Sequence, residues 1–161
     1  MTMGRRSGAG SGRRVETVLV PLDGSKLAEG ALAHVVSLLG GSKLRLVLLQ
    51  VVPSVNPAPL VAVSVPAPLH ASAARRARGE RYMEGVRRRL ARRRITARVL
   101  VRAGDPAKEI LDRAHVEDAD MIAMTTHGRS GLRRVLFGSV AEAVLRRTRV
   151  PILLVRARRG H

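Results

Sequence analysis

Short runs of consecutive apolar residues alternate along this chain with longer stretches whose apolar positions recur every three or four residues. Thr17–Pro21 (TVLVP) is a run of the buried-strand type. Asp23, Gly24 and Ser25 then form a turn and a helix start. Residues 26–39 carry Leu27, Ala31, Val35 and Leu38–Leu39 at helical spacing, and Gly40–Gly41 end that helix. Leu44–Val52 is a second strand. Residues 53–68 are apolar but punctuated by proline, which predicts a surface loop in which Val61–Val65 is at most a short strand. Loops this long in compact domains are often functional. Residues 70–93 read as a long basic helix and Ile95–Arg102 as a third strand. Gly104, Asp105 and Pro106 supply a turn, an N-cap and a proline at the first helical position of a helix running to about Val116. Ala119–Thr125 is a fourth strand, followed by a polar, glycine-bearing loop over Thr126–Phe137. Ser139 is expected to open a fourth helix in a capping box with Glu142, and Thr148–Val155 is a fifth strand.

The order β-α-β-α-β-α-β-α-β, with continuously apolar strands, predicts a parallel sheet carrying helices on both faces. Right-handed crossovers leave few topologies for it. The length of 161 residues fits one domain. Residues 1–14 (MTMGRRSGAGSGRR) lack periodicity and are expected to be a flexible basic tail; residues 15–156 form the domain, and 157–161 a basic C-terminal tail. Cysteine is absent, which excludes disulfides, thiolate zinc sites and thiol catalysis. The apolar runs are too short to span a membrane, and the run after the basic N-terminus breaks at Pro21 with no cleavage site behind it. The expectation is a cytoplasmic protein without a signal peptide.

In an open parallel sheet, ligands bind beyond the C-terminal ends of the strands, where the strand order reverses. Two strand ends carry ligand-type residues: Asp23-Gly24-Ser25 after the first strand, and Thr125-Thr126-His127-Gly128 leading to Gly138-Ser139 after the fourth. A carboxylate repels phosphate, so Asp23 suits a hydroxyl or amine donor such as ribose or adenine. Gly128 and Gly138 permit close backbone approach, and the Gly138–Ser139 peptide lies at a helix N-terminus that favours an anion. The same residues admit a plainer role, with Asp23 and Ser139 as helix caps and the glycines as turns. Together at one switch point they favour a nucleotide.

At these residues the chain resembles the universal stress protein family, over about residues 15–156. The resemblance is carried by VLVPLDGS (18–25), GDPAKEIL (104–111), DADMIAM (118–124), THGRSGLRRVLFGSVAEAVLRR (126–147) and VPILLV (150–155). The family's nucleotide motif is G-x2-G-x9-G-[S/T]; Gly128, Gly138 and Ser139 match it, and Thr125 stands in place of the first glycine. The resemblance implies a three-layer α/β/α fold of the adenine-nucleotide alpha-hydrolase type, an open five-stranded parallel sheet in the order 3-2-1-4-5. It also implies a regulatory stress-response protein that binds ATP, or ADP or AMP in its place, with Mg2+ accompanying ATP. Carried over by position, the binding residues are Pro21, Asp23, Val51 beside the adenine, Thr125, Gly128, Gly138, Ser139 and Val140. Members without the glycine motif tend not to bind ATP. The resemblance implies a homodimer through strand five (Val150–Val155), as does the exposed edge that a last strand presents. No general base stands out and no catalytic residue is assigned, although slow hydrolysis or autophosphorylation is a theme in parts of the family.

Charge adds a reading from another class. The formal net charge is +18, and the stretch from Arg75 to Arg94 holds ten arginines. Its local ion pairs are expected to be Glu80–Arg81, Glu84–Arg87 and Glu84–Arg88. Charge runs are ordinarily solvated faces, but this one also suits a polyanion, with the sheet as scaffold and no nucleotide bound. Aromatic residues number two, Tyr82 and Phe137, too few for stacking on single strands. No helix-turn-helix or zinc finger is visible, so any nucleic-acid contact is expected to be non-specific. The histidines at 34, 70, 115, 127 and 161 have no metal-ligand spacing, no G-x4-G-K-[S/T] occurs, and the G-x-S-x-G spacing is not met.

Overall fold

The computed structural model describes residues 15–40, 43–53, 69–126 and 138–156. The expected tails, most of the proline-rich loop with Val61–Val65, and His127, Gly128 and Phe137 lie outside the described residues. The elements run β1 (Thr17–Pro21), α1 (Lys26–Leu39), β2 (Arg45–Val52), α2 (Leu69–Ala91), β3 (Ala97–Ala103), α3 (Pro106–Val116), β4 (Met121–Thr125), α4 (Ser139–Arg147) and β5 (Ile152–Val155). The five strands form one sheet in the order β3-β2-β1-β4-β5, every neighbouring pair parallel.

Successive strand side chains point to opposite faces, and both faces are apolar, which is why the strands read as continuous hydrophobic runs. Val18, Val20, Leu46 and Leu48 pack with Leu32 and Val35 of α1 and Met83, Val86 and Leu90 of α2. On the other face Leu19, Val47, Leu49 and Ile122 pack with Ile110 of α3 and Val144 of α4. The side chains of Val18, Leu19, Val20, Leu48 and Leu49 are completely buried.

Three strands start two or more residues later than the apolar pattern suggests, because a backbone amide is claimed by something else. Ile95 donates its amide to the Leu90 carbonyl and so finishes α2. Ala119 donates to Ala114 and finishes α3 in the same way. Before β5, the Val150 amide goes to the Thr148 hydroxyl, and Pro151 has no amide to give. Arg94 and Asp118 occupy the left-handed position of these two helix ends, with φ of 58° and 48°.

Candidate functional site

The sheet order reverses between β1 and β4. These strands pair directly, Val18 with Met121 and Leu19 with Ile122, so their C-terminal ends open onto one crevice. At the end of β1 the chain stays beside β2 for one more residue, Leu22 donating to the Leu49 carbonyl at 2.7 Å. It then turns through Gly24, whose φ of 83° suits glycine. Asp23 holds this turn: its Oδ1 accepts the Ser25 amide at 2.9 Å. The N-cap of α1 is Ser25, whose Oγ accepts the Ala28 amide at 3.1 Å. Asp23 therefore shapes the loop without capping the helix.

The end of β4 differs from the expected capping box. The N-cap of α4 is Gly138, which has no side chain to offer, and Ser139 is already helical. Gly138 donates its amide to the Thr126 carbonyl at 2.6 Å, which ties the return of the loop to the end of β4 and sets the helix start. Glu142 lies one residue too far along to reach back, and accepts from Arg146 at 2.6 Å instead. Among the described residues the first turn of α4 thus carries no side-chain cap, and a helix N-terminus is where an anion is favoured.

The residues named from the sequence divide between the two faces of the sheet. Val51 and Val140 both pack against the cluster on the α3–α4 face, and Pro21 shares the face of Leu19 two residues before it. Thr125 does not join them. Its Cγ2 lies 3.9 Å from where a Cβ on Gly30 would sit, so it points at α1. There it helps line a cleft of about 630 Å³ between α1 and β5, with Lys26, Gly30, His34, Leu153 and Val155.

Next to the Asp23 turn, α1 and α2 are joined by a network that sequence reading does not anticipate. Glu29 accepts from the Tyr82 hydroxyl at 3.0 Å and from Arg89 Nη2 at 2.7 Å. Burial, then the Glu29 carboxylate, and more weakly the Asp23 charge, push the ionisation of Tyr82 well above its ordinary range. The local signal was an acid in the first turn of α1; its partners, more than fifty residues away, were not visible.

An open, all-parallel α/β/α sheet in the order β3-β2-β1-β4-β5 defines a doubly wound protein, a class whose ligand sites lie at the switch point. A profile of the universal stress protein family matches residues 14–156, and the chain belongs to that family. A universal stress protein of Methanocaldococcus jannaschii is 47% identical over 53 residues, 33% of this chain and 31% of that protein, so the aligned segment spans about a third of the relative. The fold matches the universal stress protein UspA of Lactobacillus plantarum with a TM-score of 0.77 at 23% identity, over 89% of this chain and 99% of that one. It also matches a universal stress protein in complex with cAMP, with a TM-score of 0.67 at 21% identity, over 90% of this chain and 99% of that one.

Proposed function

We propose that this protein is a regulatory member of its family that binds ATP, or ADP or AMP in its place, in the crevice between β1 and β4. The observation that carries this reading is the pair of helix starts. The plainer account needs Asp23 and Ser139 as caps, yet α1 is capped by Ser25 and α4 has no side-chain cap. Asp23 then takes a ribose or adenine donor, and the amides of Ser139 and Val140, with the α4 dipole behind them, take phosphate. Val51 flanks the base, and Mg2+ accompanies ATP. The cAMP-bound relative supports an adenine ligand on this fold. Binding alters shape or partners; no chemical step is assigned.

The functional unit is a homodimer joined through β5. Among the described residues this strand lies at the sheet edge, paired on one side only, with Ile152, Leu153 and Leu154 incompletely buried. A second β5 related by a two-fold axis closes that edge.

Mass spectrometry of small molecules released by denaturing the purified protein tests the ligand. Co-purified ATP, ADP or AMP is expected. A protein that carries none, and takes up none when incubated with them, would contradict the proposal.

A further inference from the structure

Helix α2 has 23 residues and one apolar face, formed by Met83, Val86 and Leu90, which is spent against the sheet. Gly79 is buried on the same face, against the side chain of Gln50 on β2. On the opposite face, at alternating steps of three, seven and four residues, stand Arg78, Arg81, Arg88 and Arg92, all exposed. They follow one line about 21 Å long, Arg92 standing one residue past the end of α2 with its amide still donating to the Arg88 carbonyl at 3.2 Å. The fold makes little use of them. Among the described residues Arg78, Arg81 and Arg92 have no carboxylate partner. Arg88 reaches Glu84 only at 3.7 Å, because Arg87 holds that carboxylate at 2.7 Å. The expected Glu80–Arg81 pair does not form; Glu80 accepts from Arg76 at 3.0 Å. The gap in the line is Gly85, where a Cβ would meet nothing within 4 Å.

We propose that the line Arg78–Arg81–Arg88–Arg92 binds the phosphate backbone of a nucleic-acid duplex without reading its sequence. A straight row of fixed cations matches a polymer whose charges repeat along an axis, and the guanidinium fork suits phosphate oxygens. Single strands are disfavoured, because no aromatic ring lies on the row for bases to stack on; the Tyr82 hydroxyl is tied to Glu29 on α1. An anionic membrane is disfavoured, because a surface-lying helix needs a free apolar face and that of α2 is buried. This site lies on the solvent side of α2 and is independent of the nucleotide crevice.

The test is fluorescence anisotropy with two unrelated 20-base-pair DNA duplexes across a salt series, on the nucleotide-free full chain. R81Q/R92Q is compared with R102Q/R149Q, which removes the same charge from exposed positions elsewhere. For R81Q/R92Q the slope of log Kobs against log salt becomes shallower by about 1.8, and affinity near physiological salt falls about tenfold or more. R102Q/R149Q keeps the wild-type slope to within about 0.5. Gly85→Arg fills the gap, so affinity rises and the slope steepens by about 0.9. Both duplexes bind alike. Equal losses in the two double variants, no gain from Gly85→Arg, or binding to phosphatidylserine vesicles but not to duplex would each overturn the proposal. Circular dichroism confirms folding of every variant first.

Discussion

Arg94 and Asp118 each pay a conformational penalty to end a helix. At both, the next residue donates back five positions, Ile95 to Leu90 and Ala119 to Ala114, and the residue itself donates back three, Arg94 to Ala91 and Asp118 to His115. This double bond needs a left-handed residue, which glycine adopts without a Cβ clash and arginine does not. Arg94→Gly is expected to raise stability by about 0.5–1 kcal/mol, the relieved clash exceeding the added freedom of the unfolded chain. A urea denaturation midpoint that falls instead would refute the assignment. Tyr82 gives a second test, because the chain has one tyrosine and no tryptophan. Its hydroxyl is held protonated in the fold by burial and by Glu29. Its contribution to stability is therefore complete below the unfolded value near 10 and is lost as pH rises through the higher folded value. Absorbance at 295 nm should stay flat in the native protein past the pH at which tyrosinate appears in 8 M urea. Coincident titrations would show that Tyr82 is neither buried nor bonded to Glu29 in solution.

At the scale of elements, α1 and α2 are joined beside the Asp23 turn by Glu29, which accepts from both Tyr82 and Arg89. Glu29→Ala leaves a half-buried hydroxyl without its acceptor and is expected to cost about 1–2 kcal/mol in chemical denaturation. Replacing Arg87 and Arg88 by glutamine should leave the midpoint in place, since their pairs with Glu84 are solvent-exposed. A larger loss from the arginine pair than from Glu29→Ala would reverse this ranking. The elements themselves were legible in sequence wherever periodicity and caps agreed. Helix α1 runs over the expected residues 26–39, and Asp105 caps α3 with Pro106 behind it, as their residue types dictate. Legibility failed where one backbone amide had two possible partners. Ser139 and Glu142 have the spacing of a capping box, but the Gly138–Thr126 bond, closed across the β4 loop, decides the helix start. In the candidate site, Asp23 and Gly138 could be picked from their residue types and places after strands. The orientation of Thr125 toward α1 follows only from which face of β4 meets which helix.

For the whole molecule, the edge that β5 presents among the described residues and the proposed nucleotide crevice make separate demands. Light scattering at tens of micromolar should give about twice the chain mass of 17.4 kDa. A monomer at that concentration would leave the β5 edge to some other cover. The central claim is that an adenine nucleotide sits between the Asp23 turn and the start of α4. Gly138 has φ −62° and ψ 152°, a conformation open to any residue, so valine there should fold while its branched side chain blocks the approach of phosphate. The most direct measurement is calorimetric titration of ATP into the wild type, Gly138→Val, Asp23→Ala and Thr125→Gly, each first checked for folding by circular dichroism. The wild type should bind, Gly138→Val and Asp23→Ala should each weaken binding at least about tenfold, roughly 1.4 kcal/mol, and Thr125→Gly, altering a side chain that faces α1, should match the wild type. Folded Gly138→Val and Asp23→Ala proteins that bind ATP as tightly as the wild type, or a wild type that binds none, would contradict it.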